Sequence, residues 1–250
     1  MMDLERNLLG LMTVFKFEAR KLLLHKRWMF VVVLAILVGA VMGYSATRQG
    51  ADIGTASDML NLLVLTFLLP VMALIYGASM VRNEMDDRSI IQVVTSPLDR
   101  RTSYIAYYLA LTVVLVILLI IITLVGGLSF MAFNGASGGP ELMLAFMAVL
   151  CIGAIAYSSL FLVIGLVMKQ PLYLGLFYVF VWEYFIGSVP GAVGELTIRH
   201  QLQVIASGLT DKGSFVNISG DPTTSLLAML VMAVILVVVG AFLFREKEIA

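Results

Sequence analysis

Between Arg101 and Glu141 no side chain carries a formal charge, and a soluble domain has no ordinary way to keep a stretch of that length in water, because its helices need a polar face. The chain is therefore expected in a membrane. Further charge-free runs cover 28–47, 59–81, 142–168 and 222–244. Each supplies the roughly 20 apolar residues that a helix rising ~1.5 Å per residue needs to cross a hydrocarbon core of ~30 Å. A sixth run, 170–189, is interrupted by a single acid, Glu183. The expected fold is an all-α integral membrane bundle of six spans, at about 28–47, 59–81, 104–128, 142–168, 171–189 and 223–244, preceded by a separate cytoplasmic segment, 1–27. The third run is longer than a bilayer requires, so a break or an early end is expected at Gly126 and Gly127.

Composition narrows the function classes. Apolar residues make up 61% of the chain and charged ones 13%, which removes the soluble and disordered classes together. A net charge of zero argues against a nucleic-acid partner, since neutralising a phosphate backbone takes a basic surplus. The single cysteine, Cys151, permits no intrachain disulfide and reads as a small apolar filler. The charged lead up to Arg27 is too long for a cleaved signal peptide, so the first span is expected to persist.

Cations orient the bundle. Lys16, Arg20, Lys21, Lys26 and Arg27 crowd the approach to the first span, which holds the N-terminus in the cytoplasm. Six spans then return the C-terminus to the same side, and the basic residues divide thirteen inside to three outside, the three being Arg48, Arg199 and Lys212. In the lead segment Leu8, Met12, Phe15, Ala19, Leu22 and Leu23 recur at helical spacing while Arg6, Lys16, Glu18, Arg20 and Lys21 take the remaining arc. That pattern is an amphipathic interfacial helix, anchored to anionic lipid or docked to a partner. Outside, in 190–222, Leu202, Ile205, Ala206 and Leu209 share a face, as in a short helix on or in the outer leaflet.

Three features carry functional expectations. The connector between spans two and three holds Glu84, Asp86, Asp87, Arg88 and Ser89, then Ile90, Ile91 and Val94, and stops at Pro97. Its acids suit the positive end of a helix and its apolar residues make a patch. Such a segment is either a docking helix for a cytoplasmic partner or a solvated loop whose cations fix topology. Glu183 lies deep in the fifth span and must find a partner or line a pathway, and Arg199 and His200 are near enough to reach it if the outer segment folds inward. Ala35, Gly39 and Gly43 form a small-residue stripe for close helix approach, within one chain or across a dimer seam.

The connector also resembles a known pattern. Glu84, then Arg88-Ser89, then the apolar stretch ending in Thr95-Ser96-Pro97-Leu98-Asp99-Arg100 is similar to the E-x-x-x-G-T…S-P-[VIL]-x-R loop of ABC-2 type permeases, the membrane subunits of ATP-binding cassette transporters. Arg88 and Ser89 stand where that family has glycine and threonine. The resemblance extends to the N-terminal helix with Phe17-Glu18 and Lys21, the span count, the long last external segment and the charged tail Arg245-Glu246-Lys247-Glu248. It implies that 84–94 is a coupling helix seated in a separate cytoplasmic ATPase that carries ATP and Mg, and that the chain faces a second permease, a copy or a paralogue, in the plasma membrane. A G-x-x-x-x-G-K-[ST] phosphate loop is absent from the sequence, so the nucleotide is not expected here.

Catalysis is not expected. His25 and His200 fall on opposite sides and no paired ligand motif occurs, so no catalytic, cofactor or metal residues are assigned. The remaining alternatives are an ion-coupled secondary transporter, for which Glu183 is the one qualifying intramembrane group, and a membrane anchor for an ATPase that moves no substrate.

Overall fold

The computed structural model describes residues 2–24, 27–86, 100–135, 137–189, 193–215, 218 and 220–246. Every regular element among them is helical, as buried or lipid-facing backbone demands when no water is present to take its hydrogen bonds. The helices are α1 (Met2–Leu24), α2 (Arg27–Ala46), α3 (Ile53–Leu60), α4 (Leu69–Asp86), α5 (Arg100–Asn134), α6 (Gly139–Val167), α7 (Pro171–Phe177), α8 (Ile198–Ser207) and α9 (Pro222–Glu246). Two wide π-helical stretches intervene without breaking the helical run, Asn61–Leu68 between α3 and α4 and Tyr178–Phe185 after α7. Among the described residues five helical stretches are long and apolar enough to cross a membrane: Trp28–Ala46, Ile53–Ala78, Arg101–Asn134, Gly139–Val167 and Pro222–Glu246.

At the centre stands the hairpin of α5 and α6, reversed by a turn in which Gly135 and Gly138 take φ of +86° and +74°, values that L side chains resist. Around it, α1 and α2 pack on α5, α4 and α8 on α6, and α9 on both, while α7 lies against α4. Tyr76, Tyr157, Phe146 and Phe161 are wholly enclosed in this core. The outward faces are equally apolar. Val33, Ile36 and Leu37 on α2 and Leu227, Val234 and Val238 on α9 stay exposed, faces suited to hydrocarbon and ill suited to water.

Side-chain links define the two ends of the bundle. At one end Asn134 donates to the Ala51 carbonyl at 2.8 Å and Ser57 to the Lys212 carbonyl at 3.0 Å. At the other, Tyr104 and Tyr107 at the start of α5 meet the Phe244 ring near the end of α9, with centroids 5.8 and 6.2 Å apart.

Three expectations need correction. α5 runs unbroken through Gly126 and Gly127 for 35 residues. Those glycines admit Val38 of α2 and Met143 of α6 at close range, so they serve packing while the surrounding helices protect the hydrogen-bond ladder. The second long stretch starts at Ile53, earlier than residue 59, because Asp52 and Thr55 form a reciprocal cap there and the one charge it gains, Asp58, is exposed. In α1 the buried arc is Phe15, Glu18, Ala19 and Leu22, with Glu18 only 3% exposed, whereas Met12 and Leu23 face outward. Contact with α5, not the sequence wheel alone, selects that face.

Candidate functional site

Glu183 sits in the wide stretch after α7 and is 2% exposed. Residues five apart on an α-helix point roughly 140° away from each other. The wider π turn brings Tyr178 and Glu183 onto one side, and the Tyr178 hydroxyl donates to Glu183 Oε1 at 2.5 Å. The chain then turns through Ile186–Ser188 and Gly194–Leu196 and re-enters the bundle as α8, whose Leu202, Val204, Ile205 and Ala206 are buried. Leu209, expected on that face, lies past the helix end and is exposed.

The start of α8 accounts for its four otherwise unpaired N–H groups completely. Ile198 N–H donates to Glu183 Oε1 at 3.2 Å and Arg199 N–H to Oε2 at 2.9 Å. His200 N–H donates to Thr197 Oγ1 at 3.2 Å, and the N–H of the cap residue Thr197 to the Gly194 carbonyl at 3.1 Å. A negative group at the positive end of a helix is favoured by charge as well as by hydrogen bonding. The segment carrying α8 therefore does fold inward onto Glu183, but through backbone amides. The Arg199 guanidinium lies instead over the Tyr184 ring, 5.8 Å from its centroid. Tyr157, stacked on Phe161, faces the same carboxylate outside hydrogen-bonding geometry.

Beside this latch the two wide stretches form the walls of an open groove of about 320 Å³. Leu62, Thr66 and Phe67 line one wall and Val179, Phe180 and Tyr184 the other. The Thr66 hydroxyl is buried with no hydrogen-bond partner among the described residues. The first wide stretch has a cause in sequence. Pro70 has no N–H for the Thr66 carbonyl and its ring would collide with it, and the widened turn, with Leu69 N–H donating to the Val64 carbonyl, relieves both. Widened turns of this kind recur at functional sites.

The other predicted residues divide in two. The stripe is covered within the chain: Ala35 is buried, Gly39 abuts Val125, Gly43 abuts Ser129, and Ser129 Oγ donates to the Gly39 carbonyl at 2.7 Å. Glu84 and Asp86 belong to the last turns of α4, while Asp87, Arg88, Ser89, Ile90, Ile91 and Val94 lie outside the described residues. Sequence reading missed Tyr178, Thr197 and Thr66. Pro70 was a readable sign of the first wide stretch, but nothing local marks the second. Among the described residues no cluster of His, Cys, Asp and Glu has the makings of a metal site.

Two comparisons bear on the whole chain. A family model described as ABC-2 family transporter protein matches residues 14–182, well over half of it. None of the curated proteins matches.

Proposed function

The chain belongs to the ABC-2 family of transporter proteins, and on that premise we propose that it is the membrane-spanning permease subunit of an ATP-binding cassette exporter. The observation that carries this reading is the extent of the match. It runs from α1 to Trp182 and so takes in the connector 87–99 together with the helices on either side. In this reading 84–94 is the coupling helix, docked to a separate ATPase that supplies ATP and Mg chemistry. A second permease, a copy or a paralogue, completes the pathway, and the assembly sits in the plasma membrane.

Six crossings belong to the same proposal, with 171–188 as the fifth. The geometry supports it. α7 begins just after α6 ends, whereas Lys212 is tied to Ser57 at the opposite end of the bundle, so the chain must travel the length between. Eighteen helical residues rise about 27 Å, near the thickness of the hydrocarbon core. Both termini then lie on one side, in the cytoplasm. We assign the groove between the two wide stretches to the pathway wall. The ion-coupled alternative leaned on Glu183, and the three donors that hold its carboxylate weigh against a carrier role.

Replacing Ile90 and Ile91 with aspartate should leave insertion intact and abolish co-purification of the ATPase, because apolar anchors provide most of the affinity at such a contact. An ATPase that still co-purifies with that variant refutes the docking assignment.

A further inference from the structure

Where α2 ends, on the face remote from α1, the turn 47–52 and the start of α3 enclose a hollow of about 470 Å³. Val41, Tyr44 and Met59 form its apolar side, and Arg48, Gln49 and Thr55 its polar side. Arg48 is exposed, with its guanidinium 5.4 Å from the centroid of the Tyr44 ring. Among the described residues the guanidinium forms no hydrogen bond or ion pair besides this approach to the ring. Of the other two cations toward this end, Lys212 lies 3.5 Å from Asp211, while Arg199 is likewise over a tyrosine ring, that of Tyr184.

The hollow suits an anion. None of its lining side chains is acidic, and the neighbouring Asp52 is engaged by Thr55, accepting from its N–H and its hydroxyl at 2.9 Å each. The turn closes through Ala51 N–H to the Arg48 carbonyl at 3.1 Å with Gly50 at φ +80°, leaving the N–H groups of Gln49 and Gly50 without an acceptor among the described residues. A guanidinium held over an aromatic ring by its charge, with no hydrogen bond of its own, keeps N–H donors that match phosphate oxygens two at a time.

The hollow also opens onto a lane for hydrocarbon. Val33, Leu37, Val41 and Tyr44 succeed one another on α2 at intervals of four, four and three, one face of a helix, with Arg48 in the turn just past its end, and Val33, Leu37 and Tyr44 are exposed. From Val33 to Tyr44 is roughly 16 Å along the axis, about half of the ~30 Å hydrocarbon core. We propose that this hollow binds the phosphate headgroup of an anionic glycerophospholipid in the leaflet remote from α1, with an acyl chain laid along that lane. The assignment is independent of what the bundle transports.

Native mass spectrometry of the detergent-purified full chain, offered phosphatidylglycerol and diacylglycerol with identical acyl chains, tests it. The wild type is expected to retain phosphatidylglycerol in preference. Arg48→Ala should lower that preference about fivefold, the worth of one basic side chain at an anionic lipid surface, and Arg48→Lys should keep most of it. Arg48→Gln, closer in size, checks that lost charge and not altered packing is responsible, and circular dichroism confirms that each variant folds. An undiminished preference in Arg48→Ala overturns the proposal. Complete displacement of phosphatidylglycerol by excess inorganic phosphate also overturns it, by showing a site for free anions.

Discussion

Glu183 shows how a deeply placed charge is accommodated: one carboxylate satisfies a phenol and two amides that would otherwise be buried without acceptors. Removing it leaves those donors behind, and each buried unsatisfied group costs about 1–3 kcal/mol. Glu183→Ala should therefore destabilise the protein by about 3 kcal/mol or more and loosen α8, while Glu183→Gln, which keeps one acceptor oxygen, should lose less. Thermal unfolding in detergent checks the order, and an alanine variant that melts with the wild type would contradict the latch. That an acid in an apolar run needs a partner was legible in sequence. Which partner was not, because the amides of Ile198 and Arg199 lie 15 and 16 residues away and any residue type offers the same N–H.

Two helix starts on the face remote from α1, those of α3 and α9, are fixed by aspartate caps. Asp221 accepts from the N–H and hydroxyl groups of both Thr223 and Thr224, and these bonds, the hydroxyls first, hold its carboxyl down at about 2. Asp52 is lowered likewise, chiefly by the Thr55 N–H and then by its hydroxyl. A folded-state value below the unfolded one means the cap's contribution is complete above the ordinary carboxylate range, ~3.9, and is lost as pH falls through the folded value. The unfolding temperature of Asp221→Ala should thus lie below that of the wild type at neutral pH, with the gap closing as pH drops from about 4 toward 2. A gap that stays constant with pH would show that the cap does not titrate as a carboxylate. Elements with such local signals, an Asp-x-x-Thr cap or Pro70 just after a widened turn, are readable in sequence. The wide stretch at Tyr178–Phe185 is not, since its benefit comes from α8, an element that arrives later in the chain.

The whole molecule is organised by the hairpin of α5 and α6, whose two helices between them touch every other helix among the described residues. Topology can be read directly in a background with Cys151, the sole cysteine, replaced by alanine. Lys212→Cys in intact cells should react with a membrane-impermeant maleimide, whereas Lys16→Cys and Arg245→Cys should both be protected until the membrane is opened. Labelling of Lys16→Cys and Arg245→Cys from opposite sides would leave five crossings and exclude 171–188 as a span. The helical, membrane-embedded character of this protein, its approximate helix boundaries and its family pattern were set by the sequence alone, because charge-free length and backbone hydrogen bonding are properties of each segment by itself. Tertiary structure decided which arc of α1 is buried, that the stripe at Ala35, Gly39 and Gly43 is covered by α5, and that Glu183 holds α8. Those outcomes depend on which distant segments come to lie side by side, and no local pattern encodes a neighbour.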